Sequence, residues 1–228
     1  MSSPAEWYNT LPPITKAYGT ICLLFTVVCQ FGLHPVYIAL TYEQVFKRLE
    51  VWRLFTCFFF LGHFSVNFAI RLLMIARYGV QLENGPFQRR TADFLWMMLF
   101  GAFTLLALSA TPWLWSPFLG VSLVFMLLYV WSREFPDAQI SFYGLVTLKA
   151  SLFSLKRRVD LLGIIAGHLF YFLTVLHPLA GGTNILKTPM WVHILVRRWG
   201  IGAPAPTQAQ ADRNTGGVFR GRSHRLRG

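Results

Sequence analysis

Ser122 and His168 are the two residues of this chain that could form a hydrolytic pair. A serine becomes a nucleophile when a histidine takes its proton, and acyl transfer also needs donors aimed at the oxyanion. Gly120-Val121-Ser122-Leu123 opens one apolar run and His168 lies in a later one, so a dyad inside a membrane can be drawn. The usual signature of an intramembrane serine protease is GxSG, and Leu123 stands here in place of its second glycine. A serine in a membrane helix commonly bonds its own backbone instead. The residues favour a non-catalytic reading, with an active intramembrane protease as the alternative.

Three other constellations carry chemistry of a binding or packing kind. Trp52-Arg53, preceded by Glu50, pairs an indole suited to a membrane interface with a guanidinium that can bond phosphate or loop carbonyls. The same pair also describes an ordinary aromatic-basic membrane flank. Gly163 and Gly167 form a GxxxG, which lets helix backbones approach closely. Near the end of the chain, Phe219, Gly221, Arg222, Arg225 and Leu226 make a short motif that could dock on a partner's sheet edge or pocket; a basic tail without specific use is the plain alternative. Cys22, Cys29 and Cys57 lie in or beside apolar runs and read as packing residues. No pair has metal-ligand spacing, and the sequence calls for no metal or cofactor.

The elements that must position these residues are membrane helices. Hydrophobic residues make up 54% of the 228 positions and charged residues only 13%, too little charge to cover a soluble domain. No charge falls between Lys16 and Glu43, between Asp93 and Arg133, or between Asp160 and Lys187. A helix crosses the hydrocarbon core in about 20 residues, so the first and third gaps hold one span each and the middle gap holds two. The spans run roughly over Ala17–Gly32, Leu54–Ile75, Phe94–Ala110, Phe118–Trp131 and Leu161–Leu179, with Arg71 near the end of the second and free to snorkel. Between the third and fourth, Pro112 and Pro117 break the helix and Trp113 and Trp115 suit an interface. The stretch 138–155 is interrupted by Lys149 and is short for a span, so the fifth helix is expected to be truncated or irregular.

Charge asymmetry counts it as a crossing nonetheless. Six spans with a cytosolic N-terminus put thirteen cations on the cytosolic side against six opposite, whereas five spans give about nine against eleven. The expected organisation is a cytosolic segment 1–16, a transmembrane domain 17–186, and a cytosolic basic tail 187–228 that is disordered after about residue 201. The apolar run after Pro12 reads as an uncleaved first span. The net charge of +12 sits beside spans and in the tail, as orientation requires, and is not read as nucleic-acid binding. An unrelated transporter or scaffold is a further alternative, though no convincing internal repeat supports it.

Taken in order, these residues resemble the Derlin family, the rhomboid-like pseudoproteases of endoplasmic-reticulum quality control, and plant members in particular. The match is carried by Trp52-Arg53, the run Arg71 to Gly79, Arg90-Thr91-Ala92-Asp93-Phe94, Leu127 to Arg133, Gly163 to His168, His177-Pro178 and Leu186-Lys187-Thr188-Pro189. The resemblance implies an all-α, rhomboid-like bundle of about six transmembrane helices in the endoplasmic-reticulum membrane, with both termini cytosolic. It implies a non-enzymatic role in retrotranslocation, moving misfolded proteins to the cytosol for ubiquitination and proteasomal degradation. The implied partners are misfolded clients, a membrane ubiquitin ligase complex and an AAA-ATPase segregase met through the tail motif, and the family allows self-association. His63, Asn67, Arg71 and the short fifth segment are the polar or mismatched elements expected to act where the bilayer is thinned. Two departures stand out: Ser223 replaces a glycine usual in the tail motif, and the stretch between Tyr143 and Leu162 is shorter than in relatives.

Overall fold

The computed structural model describes residues 4–135, 157–181 and 186–200. The described residues are helical, with no strand among them. The expected fifth helix at 138–155 and the tail motif from Phe219 to Leu226 lie outside the described residues.

A short helix α1 (Pro4–Thr10) precedes α2 (Pro13–Gln30), whose proline at the first helical position has no amide hydrogen to leave unsatisfied. After a single turn at Pro35–Tyr37 come α3 (Tyr42–Arg48) and the one-turn α4 (Arg53–Thr56). The next helix starts at a serine cap, where Ser65 Oγ accepts from Phe68 N at 3.3 Å, and runs as α5 (Val66–Met74), a π turn (Ile75–Gly79) and α6 (Val80–Asn84). Then follow α7 (Thr91–Ser109), α8 (Gly120–Glu134) and α9 (Arg157–Tyr171), which continues through a π turn (Phe172–Leu176) into α10 (His177–Leu179). Helix α11 (Met190–Arg198) comes last. Among the described residues three stretches are long and apolar enough to cross a membrane: Pro13–Gln30, Thr91–Ser109 and Leu161–Leu179.

One expected span is corrected. The run from Leu54 to Ile75 is not one helix: it breaks after Thr56, and Gly62 adopts a φ of 123°. The helical run instead starts after the Ser65 cap and extends from Val66 to Asn84. Arg71 does not snorkel outward. It is buried within this helix and donates from Nη1 to the carbonyl of Leu61.

Helix α8 sits at the centre of the core. Leu123, Val124, Met126, Leu127, Val130 and Trp131 are all buried, and α9 lies along it. The register is read from two glycines. A Cβ on Gly163 would collide with Ser122 O, Phe125 Cβ and Met126 N, and one on Gly167 would meet the Tyr129 ring at 2.9 Å. Four residues along α9 match a step of about four along α8 in the same direction, so the two helices run parallel. Phe135 packs beside Gly85 at one end of the bundle, whereas Arg157 begins α9 beyond Ser122 at the other. Helix α7 runs opposite to α8, with Gly101 making room for the Met126 thioether and Phe100 against Phe170 at 5.9 Å.

Candidate functional site

The stretch from Phe31 to Ser65 is broken into short turns that leave carbonyls with no helical partner, and long side chains serve several of them. Arg53 is 3% exposed. Its Nη1 donates to Val36 O at 2.6 Å and Ala39 O at 2.9 Å, and its Nε donates to Glu50 Oε2 at 2.5 Å. A guanidinium suits this place because its fixed fork reaches three acceptors at once while staying charged. Trp52 is 56% exposed beside it and presents its indole outward. Tyr18 OH donates to Phe58 O at 3.0 Å, Arg71 to Leu61 O, and Tyr42 OH to Leu106 O at 2.7 Å, near the end of α7. Buried irregular backbone of this kind needs its carbonyls satisfied in this way.

The same stretch holds the start of α8. Cys57 O accepts from Leu119 N at 3.0 Å and Gly120 N at 3.2 Å. Gly120 is required there, since a Cβ would fall 2.5 Å from Phe58 O and 3.0 Å from Phe60 O. The glycine of the Gly120-Val121-Ser122-Leu123 run therefore has a packing cause. Ser122 is fully buried with its carbonyl under Gly163, and Leu123 is 3% exposed in the core. His168 is exposed, and its Nδ1 lies 2.7 Å from Tyr129 OH, which also accepts from Arg133 Nε at 3.1 Å. Tyr129 stands seven residues beyond Ser122, about 10 Å along the helix axis. The hydrogen bond of His168 is thus made two turns away from the serine of the drawn dyad. The amides at the start of α8, which could have offered oxyanion donors, are held by Cys57 O.

Of the other polar positions singled out, His63 is exposed with its ring 5.6 Å from that of Phe60, and Asn67 is half-buried one turn before Arg71. Cys22 and Cys57 are buried and Cys29 is partly so, all three free. Among the described residues no three metal-ligating side chains cluster.

Two relationships were not visible in sequence reasoning. Glu83 is 4% exposed and caps α2: it accepts from Ile14 N at 3.1 Å, Thr15 N at 2.9 Å and Thr15 Oγ1 at 2.7 Å. The signal available was negative, because Pro12 at the head of α2 offers no side-chain cap. At the same end of the bundle, Thr188 Oγ1 donates to Asp93 Oδ1 at 2.5 Å while Arg90 Nε donates to Asp93 Oδ2 at 2.5 Å. Asp93 thereby ties the segment after α10 to the first turn of α7. An open cavity of about 650 Å³ lies there, lined by Arg90, Asp93, Glu134, Phe170, Lys187 and His193 among others. Partial burial raises the Glu134 carboxyl above its ordinary range.

The chain matches the family model described as the Der1-like family over residues 11–190. It is 66% identical to Derlin-1 of Arabidopsis thaliana over 223 residues, covering 92% of this chain and 84% of that protein. It is 60% identical to Derlin-1 of Oryza sativa subsp. japonica over 240 residues and 57% identical to Derlin-1.2 of Zea mays over 241, with 99% of each chain covered. The rice alignment runs over 240 positions yet takes in a chain of 228, so about fourteen positions of that relative have no counterpart here. Apolar spans, satisfied irregular backbone and whole-length similarity agree: the chain belongs to the Der1-like, or Derlin, family.

Proposed function

We propose that this protein is a non-enzymatic, multi-pass component of endoplasmic-reticulum-associated degradation that assists retrotranslocation of misfolded proteins for ubiquitination and proteasomal degradation. Family membership carries the pathway. The observation that carries the non-enzymatic reading is the placement of Ser122 under Gly163 while His168 bonds Tyr129 two turns away.

Six crossings in a rhomboid-like arrangement fit the register of the described helices. Helices α2 and α7 run one way, and α5–α6, α8 and α9 run the other. Because α8 and α9 are parallel, Phe135 and Arg157 lie at opposite ends of the bundle, as a sixth crossing would require. With the N-terminus cytosolic, Glu83, Asp93, Glu134 and α11 all belong to the cytosolic side, and the Trp52-Arg53 region to the lumenal side.

Thinning of the bilayer has a physical basis in the same elements. Helix α8 has 15 residues. At a rise of about 1.5 Å each it reaches roughly 22 Å, against a hydrocarbon core of about 30 Å. Short helices favour a locally thinner bilayer, which shortens the apolar path for a client's polar side chains. The proposed partners are misfolded clients, a membrane ubiquitin ligase complex and an AAA-ATPase segregase engaged through Phe219, Gly221, Arg222, Arg225 and Leu226, with self-association compatible with the family.

Client turnover tests this. In cells lacking the endogenous protein, Ser122→Ala and His168→Ala are expected to restore degradation of a misfolded lumenal client as the unmodified chain does. Cleavage of a membrane substrate that disappears with either change would establish the protease instead.

A further inference from the structure

Helix α11 is nine residues long, MWVHILVRR, and contains no acidic residue. Val192 and Val196, four apart, are buried against Ala92, with Leu95 and Trp96 packed alongside. The Trp96 and Trp191 rings meet edge to face at 6.0 Å. Ala92 belongs to the first turn of α7, a helix long and apolar enough to span, so α11 is clamped at one end of that helix. The clamp uses only part of the apolar surface. Met190, Trp191 and Ile194, at spacing i, i+1, i+4, are 74%, 52% and 60% exposed. Arg197, Arg198 and Trp199 follow, all exposed.

We propose that this uncovered face is a lipid-docking surface: α11 lies in the headgroup layer of the membrane that α7 spans, and it selects anionic lipid. Three observations name the occupant. The height is set by Ala92 at the head of a span. The exposed residues are an apolar set with flanking tryptophans, the composition of helices that lie in an interface. The charges of the last turn are cationic, complementary to anionic headgroups, and an arginine there can lay its stem along apolar surface while its head stays at the phosphates. His193, about 100° round the helix from Ile194, faces water. Docking would hold the start of the tail that follows Gly200 close to the membrane.

The test uses the full chain in lipid vesicles with Cys29→Ser, which leaves the buried Cys22 and Cys57 unlabelled. A nitroxide is placed at Ile194→Cys or, separately, at His193→Cys. Vesicles of phosphatidylcholine alone are compared with phosphatidylcholine mixed with phosphatidylserine. The label at 194 is expected to collide with oxygen, which concentrates in the chains, and the label at 193 with an aqueous nickel chelate. Phosphatidylserine should sharpen that contrast. Arg197→Gln combined with Arg198→Gln should weaken docking roughly 30-fold on anionic vesicles, from about 1 kcal/mol per cation. Equal nickel access at both positions in both lipids would overturn the proposal. So would a label at 194 shielded from oxygen and nickel alike, since that is the signature of a protein partner or a second copy.

Discussion

The Glu83 carboxylate holds Thr15, 68 residues earlier in the chain, by its amide at 2.9 Å and its hydroxyl at 2.7 Å. The bonds join the start of α2 to the end of α6, and Gly79 makes the approach feasible because a Cβ there would sit 2.9 Å from Thr15 Cγ2. An anion at a helix N-terminus also meets the positive end of the helix dipole.

Glu83→Ala is therefore expected to destabilise the bundle by about 2–4 kcal/mol, because buried amides lose their acceptor and the dipole loses its counter-charge. Thermal unfolding in detergent measures it. Glu83→Gln keeps an acceptor without the charge and should fall between the two. Equal stability of all three would remove the cap from the account.

At Arg53 the prediction separates two neighbours. Arg53→Ala strands Glu50, whose side chain is 16% exposed, and two loop carbonyls. Breaking such a buried pair costs about 3–5 kcal/mol. Arg53→Lys should rescue only part, since an ammonium cannot reproduce the fork. Trp52→Ala should leave unfolding nearly unchanged and alter only membrane anchoring. Limited proteolysis of residues 31–41 reads the difference: rapid cutting for Arg53→Ala, slow cutting for Trp52→Ala.

The two glycines of the α8–α9 seam should not respond alike. At Gly163 an added methyl meets backbone, Ser122 O and Met126 N, which cannot yield without moving α8. At Gly167 it meets the Tyr129 side chain, which can rotate. Overpacking typically costs about 1–3 kcal/mol. Gly163→Ala should lie at or above the top of that range and Gly167→Ala near the bottom. The reverse order in a thermal unfolding assay would contradict the register.

Asp93 and Thr188 should be energetically coupled. Asp93→Ala and Thr188→Ala are each expected to loosen α11 from α7, and the double change should add little to either alone. Hydrogen exchange over residues 190–198 reports it. Independent, additive effects would mean that the 2.5 Å contact does not tether the segment.

Much of this architecture was legible from charge-free length. The membrane-length apolar helices Pro13–Gln30, Thr91–Ser109 and Leu161–Leu179 fall on the charge-free runs that follow Lys16, Asp93 and Asp160, and α8 falls on the apolar run after Pro117. The helix expected over 54–75 is displaced because Phe58-Phe59-Phe60 is apolar enough for a helix interior, while Gly62 and the Ser65 cap restart the chain nine residues after Thr56. The burial of Arg71 and Glu83 is not legible in the sequence because their partners, Leu61 O and Thr15, are set by tertiary packing that periodicity does not encode. The GxxxG was visible as a motif, but its partner on α8 was not. The glycine of the serine motif gained its meaning only when Phe58 O and Phe60 O were found against it.

Glycosylation-site mapping bears most directly on the six-crossing account. An acceptor site inserted beside Lys156-Arg157-Arg158 should be glycosylated, and one in the tail after Gly200 should stay unmodified. That result places the start of α9 in the lumen and the tail in the cytosol, as parallel α8 and α9 require. A glycosylated tail with an unmodified 156–158 site would leave five crossings and make α8 and α9 antiparallel, against the contacts of Gly163 with Ser122 and Gly167 with Tyr129.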